Sequence, residues 1–150
     1  MSEIVRIARE EIGQGEVPLN SNNTKYGEWF GLNGVAWCAI FVSWVYFKAG
    51  NVLPKIGYTK GYAGCQTAYN YFKTNGWLVT DPQPGDIVLF DWNNDGRYDH
   101  TGIFVESVSI DKFKSIEGNT SLVNDSNGGE VMERVRNYKS AIFARKPITK

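Results

Sequence analysis

Thirteen consecutive residues, Val35 to Phe47, are apolar except for Ser43. The run falls short of the ~20 residues that a membrane-spanning helix requires. With no polar face it is also unsuited to a surface helix. It is therefore read as a buried helix, Trp37 to Ala49, closed by Gly50. Everything else in the chain has to cover it. A chain of 150 residues, 42% hydrophobic, has enough material for one such core and too little for two of similar size.

The covering elements fall into two groups. Ahead of the buried helix, Ile4, Val5, Ala8 and Ile12 mark one face of an amphipathic helix over Ser2 to Ile12, with Ser2 as N-cap and Gly13 past its end. A loop from Gln14 to Lys25 leads to a short turn around Tyr26 to Phe30. A further helix is predicted over Tyr62 to Thr74, packing through Ala63, Ala68, Tyr69 and Phe72. Beyond Pro82 the pattern becomes strand-like, at Asp86 to Phe90, Thr101 to Glu106, Lys112 to Glu117, Glu130 to Val135 and Ala141 to Lys146. Helices followed by an antiparallel sheet make an α+β domain. No internal repeat or low-complexity linker divides it, so residues 1–150 are read as one domain.

Sixteen basic residues balance sixteen acidic ones. Zero net charge argues against nucleic acid as the main partner, and the short apolar run argues against membrane insertion. The N-terminus carries Glu3, Arg6, Arg9, Glu10 and Glu11, so no signal peptide is expected. Cys38 and Cys65 form neither a disulfide framework nor a zinc motif, and no pattern supports a bridge between them.

The scarcity of histidine narrows the chemistry. His100 is the one imidazole, and so the one side chain whose ordinary pKa suits proton transfer near neutrality. Cys38 stands in the first turn of the apolar helix, where unpaired amides and the helix dipole favour a thiolate. A free cysteine in such a segment can equally be a small core hydrophobe, and position alone leaves both readings open. Cys65, inside its predicted helix, reads as core. If the strands after His100 form a hairpin centred between Val108 and Ser109, Glu117 lies directly opposite His100 and can orient the ring, with Phe104 opposite Phe113 and Gly102 opposite Ser115. Asn119 offers a second polar contact; plain turn chemistry is the other reading for both residues.

Two more features adjoin the histidine. Asp91, Asn93 and Asp95 alternate ahead of Gly96, as at the start of an EF-hand loop, but the twelfth position is Gly102 and not the bidentate glutamate. The loop is either an incomplete calcium site, finished by the Arg97 carbonyl and Asp99, or simply a hairpin turn around Asp95-Gly96. Among the aromatics, Trp92 and Tyr98 in this loop, and Trp37 next to Cys38, are candidates for a substrate wall.

Four segments in order, WCAIFVSWVY around Cys38, PGDIVLF from Pro84, DHTGIFV around His100 and IEGNT from Ile116, resemble the CHAP domain, the cysteine, histidine-dependent amidohydrolase/peptidase module of peptidoglycan hydrolases. The resemblance covers nearly the whole chain, and TKYGEWFGLNGVAWCA is most similar to endolysin-type members. It implies a papain-like fold with N-terminal helices packed on a C-terminal antiparallel sheet. It further implies Cys38 as nucleophile, His100 as general base and acid, Glu117 as the residue orienting the imidazole, and Asn119 as an additional polar member. The implied activity is cleavage of a peptidoglycan amide, as N-acetylmuramoyl-L-alanine amidase or endopeptidase, with no cofactor required for the chemistry and calcium bound near the site in some members. Such an enzyme would be made in a phage host's cytoplasm and act on the wall after release. Endolysins commonly add a wall-binding domain, and none is read in these 150 residues, which leaves a single-domain enzyme, a subunit and an excised catalytic domain as readings, the latter two with a separate wall-binding domain or subunit as partner. The alternatives are a thiol protease or amidase toxin acting on proteins, and a non-catalytic wall-binding module.

Overall fold

The computed structural model describes residues 2–120 and 129–147. Helix α1, Glu3–Glu10, starts where Ser2 accepts a hydrogen bond from the Val5 amide at 3.3 Å. It buries Ile4, Val5, Ile7 and Ala8. The predicted last turn does not form: α1 ends at Glu10, and Ile12 is left 41% exposed. The Tyr26 segment is a helix, α2 at Lys25–Phe30, because Thr24 caps it by accepting the Gly27 amide and Gly31 ends it at φ 89°.

Helix α3, Cys38–Lys48, is the buried helix expected from the apolar run, with every residue from Cys38 to Tyr46 buried. It packs against α1, α2 and the sheet, and α1 also contacts the sheet. Its one interior hydroxyl is satisfied: Ser43 Oγ lies 3.0 Å from the Ala39 carbonyl and accepts the Tyr62 amide at 3.2 Å. Helix α4 is shorter than predicted, Cys65–Thr74, with Gly64 as its N-cap, so Cys65 opens the helix.

The strands form one antiparallel sheet in the order β1-β6-β2-β3-β4-β5. They are β1 Leu78–Val79, β2 Ile87–Phe90, β3 His100–Ser107, β4 Lys112–Thr120, β5 Glu130–Asn137 and β6 Ala141–Ala144. Strand β6 returns to pair with both β1 and β2. The sheet is buried on both faces in its middle. Ile87, Leu89, Ile103, Val105 and Ile116 join the helices, while Val88, Phe90, Phe104, Phe113 and Phe143 form a second cluster behind.

The β3–β4 register differs from the expected one by two residues. Ile103 pairs with Ile116 and Phe104 with Ser115, so neither Phe104–Phe113 nor Gly102–Ser115 is a ladder pair. Two features account for it: the four-residue turn, 108–111, pairs Ser107 with Phe113, an offset of three, and a bulge between Phe104 and Glu106 takes one back. A slip of two preserves which face each side chain occupies. The phenylalanines still meet, with ring centroids 5.5 Å apart.

Among the described residues no helix is long and apolar enough to cross a membrane.

Strand β4 meets α3 and its N-cap residue at Gly118, where a Cβ would sit 2.7 Å from the Trp37 ring and 2.8 Å from Phe41 Cβ. There is no room for a methyl group without moving the strand from the helix. Gly118→Ala should lower stability by about 1–3 kcal/mol, the usual cost of overpacking a core. Urea denaturation checks this, and an unchanged midpoint would show that helix and strand separate at little cost.

Candidate active site

Cys38 is the first residue of α3, and its N-cap, Trp37, supplies no side-chain hydrogen bond. First-turn amides are thus left for whatever anion stands there. His100 opens β3, where its neighbours in β2 press ring against ring: Phe90 lies 5.8 Å away at 29°. Trp92, in the loop after β2, stacks on the imidazole at 5.3 Å and 27°. The ring is fully buried, and Phe90 and Trp92 also stack on each other, at 5.4 Å.

Glu117 of β4 reaches the ring from a diagonal position, since the observed register carries Glu117 towards Gly102 and not directly opposite His100. A Cβ on Gly102 would lie 2.6 Å from Glu117 Cγ, so the missing side chain makes room for the carboxylate. Long side chains bridge such diagonals. His100 Nε2 and Glu117 Oε1 are 2.9 Å apart, and both residues are fully buried. With Nε2 engaged, Nδ1 is the ring nitrogen left to serve a thiol, and it is buried with no hydrogen-bond partner among the described residues.

The carboxylate has more partners than sequence reasoning supplied. Ser115 Oγ donates to Oε2, and Arg136 of β5 donates from Nε to Oε2 at 2.9 Å and from Nη2 to Oε1 at 2.5 Å. Arg136 fell outside the expected strand, which stopped at Val135; the real β5 runs on to Asn137 and pairs Arg136 with Phe113. The alternation of β5 would have exposed it had the strand been extended by two residues.

Electrostatics follow from these contacts. Burial alone would raise the Glu117 pKa, but hydrogen bonds from Arg136 and the charge of His100 hold it down at about 2. Burial likewise opposes a charged imidazole, yet the Cys38 thiolate and Glu117 raise His100 to about 9. The Cys38 thiol is lowered well below the ordinary range, first by a hydrogen bond from Cys65 and then by His100 and the Thr101 backbone. Cys65 moves the opposite way because it keeps its proton to donate it. The two cysteines are free, both buried, and each begins a helix. Cys65 belongs to the buried core, as expected, and its thiol also bears on that of Cys38. The three groups together favour a thiolate beside an imidazolium.

The other candidates are placed as follows. Asn119 is buried two residues beyond Glu117, in left-handed backbone at φ 59°, where the β4–β5 ladder is irregular. Such irregularities re-aim side chains. Trp37 does not fit the expected substrate wall: it is 1% exposed, stacked on Tyr26 at 5.5 Å and hydrogen-bonded from Nε1 to Glu16. The reason is that it sits on the inner side of α3, facing Gly118. Trp92 is half-buried above the imidazole, while Tyr98 stacks on Tyr69 of α4 at 4.6 Å.

In the loop between β2 and β3, carboxylate oxygens of Asp91, Asp95 and Asp99 come within 4.8 Å of one another. Oxygen donors of this kind suit calcium. Asp91 already accepts the amides of Asp95 and Gly96, at 3.2 and 2.9 Å, and Asp95 accepts that of Arg97, so the turn is formed by the protein's own hydrogen bonds. Asn93 and Arg97 are exposed in the same loop.

Replacing Cys65 with Ala removes the donor to the Cys38 thiolate. The pH at which Cys38 becomes half-reactive toward iodoacetamide should rise by on the order of one pH unit. Peptide mapping of the alkylated protein over a pH series checks this, and an unchanged profile would show that His100 alone sets the thiolate.

No curated protein matches the chain. Residues 30–119, more than half of it, match the CHAP domain. Because that stretch runs from the end of α2 almost to the end of β4, and so contains the whole of the Cys38, His100 and Glu117 cluster, the chain belongs to the CHAP domain family, whose members are cysteine, histidine-dependent amidohydrolases and peptidases.

Proposed function

We propose that this protein is an endolysin-like peptidoglycan hydrolase that cleaves an amide bond of the bacterial wall, as N-acetylmuramoyl-L-alanine amidase or as endopeptidase, through the thiolate of Cys38. The observation that carries the reading is the buried His100–Glu117 pair at 2.9 Å, with the remaining imidazole nitrogen available to the thiol. Family membership supplies the reaction class, and CHAP domains usually act on peptidoglycan.

In this mechanism His100 Nδ1 takes the thiol proton and Cys38 Sγ attacks the amide carbon. Negative charge develops on the carbonyl oxygen, where the uncapped amides at the start of α3 stabilise it. The imidazolium gives its proton to the departing amine as the C–N bond breaks, leaving a thioester. Water, deprotonated by the same imidazole, attacks the thioester and releases the acid and the thiol. Glu117 keeps the proton on Nε2 and offsets the imidazolium charge. Asn119 is an additional polar member of the site, and Trp92 and Tyr98 offer substrate-facing surface beside the ring. A separate wall-binding domain or subunit would deliver the enzyme, since zero net charge provides little attraction to an anionic wall.

Digestion of purified peptidoglycan followed by mass spectrometry tests the proposal. New amine ends are expected with the native protein, and a loss of roughly a thousand-fold or more with Cys38→Ala. Cleavage of protein substrates with no muropeptide released would favour the protease alternative, and wall pelleting without turnover would favour a binding module.

The proposal includes calcium only as a structural ion at Asp91, Asp95 and Asp99, where it would relieve repulsion among three carboxylates. No step of the chemistry runs through it. Calcium should then raise the melting temperature and chelation reverse the rise, with Asp95→Asn insensitive to both. A melting temperature indifferent to calcium would leave the loop as a turn.

A further inference from the structure

Arg136 lies beyond the stretch that matches the family, yet it makes the most extensive contact with the buried carboxylate. Its guanidinium engages both oxygens of Glu117 in a fork, Nε to Oε2 at 2.9 Å and Nη2 to Oε1 at 2.5 Å. Oε1 is the same oxygen that meets His100 Nε2. The fork therefore fixes the direction in which that oxygen can face. A carboxylate held at one oxygen can rotate about its last bond; one held at both cannot.

The same guanidinium lies over two rings. Its Cζ is 4.8 Å from the centroid of Trp92 and 5.5 Å from that of Phe90. Both rings stack on the imidazole. One side chain thus backs His100 by two routes, through the carboxylate that accepts its N–H and through the rings that hold its plane. The side chain is only 7% exposed, and Glu117 is not exposed at all. Screening by water is weak there, so the pair keeps its strength and its geometry.

We propose that Arg136 is a positioning residue for this site, clamping Glu117 with its fork and packing Trp92 and Phe90 over the imidazole so that Nδ1 of His100 stays directed at the Cys38 thiol. This rests on the reading that His100 serves Cys38. Arginine, and not lysine, is required because an ammonium can match the charge but not the two-point hold.

The presence of one histidine makes the test direct, since isotope-labelled histidine gives a single imidazole spectrum. In the native protein at fixed neutral pH, a downfield, slowly exchanging Nε2 proton is expected. Arg136→Lys, which retains the charge, should broaden or lose that signal and slow iodoacetamide alkylation of Cys38 roughly ten-fold, while far-ultraviolet circular dichroism stays native. Arg136→Ala should lose the signal fully and regain part of it with added guanidinium ion; if this variant fails to fold, Arg136→Lys decides. On a substrate that is cleaved, kcat should fall by up to about a hundred-fold with KM little changed. An unaltered Nε2 proton and alkylation rate in a folded Arg136→Lys protein would overturn the proposal. Neither of those readouts uses a substrate, so failure to cleave peptidoglycan would count against the function proposed above and not against Arg136.

Discussion

From Cys38 to Tyr46 no side of α3 can face water, and this one requirement governs the arrangement around it. Helices α1 and α2 and strands β3 and β4 all pack on it, and α1 meets the same two strands. Close packing of a strand on a helix calls for a gap in the side chains, and Gly118 provides it under Trp37 and Phe41. The same packing brings the start of the helix, and the thiol on it, against the part of the sheet that carries His100 and Glu117. The site is thus a consequence of how the core closes.

Putting a carboxylate and an imidazole in that closed region is costly unless every charge is met. Glu117 is met by three side chains, from His100, Ser115 and Arg136. For the Cys38 thiol, Cys65, His100 and the Thr101 backbone favour the charged form against burial. Each thiol begins a helix, where first-turn amides favour negative charge. Burial elsewhere suppresses charge; here the partners are dense enough to maintain it.

Much of the fold could be read from residue pattern alone. Ser2, Gly50 and the apolar run mark helix ends and a buried helix by local chemistry, and β-rich runs separated by Gly, Asn and Asp clusters mark the strands after Pro82. The departures have physical causes. Thr24 and Gly31 turn a short segment into a helix, the four-residue connection after Ser107 and the bulge between Phe104 and Glu106 together shift a register by two, and β6 inserts between β1 and β2 by a return that no local signal encodes. The two-residue shift left the faces intact, which is why Glu117 still meets His100 although it is not directly opposite it.

By itself the sequence determined the reactive types and their local settings: one imidazole, a cysteine in the first turn of an apolar helix, and a family-like order of motifs around both. These are properties of composition and of neighbours a few positions apart. Tertiary structure alone decided that Arg136 grips Glu117 across 19 positions, and that Trp37 is packed inward while Trp92 lies over the ring. Those relations depend on strand register and on how a sheet meets a helix. Both are set by the closing of the whole core, which no short stretch of sequence contains.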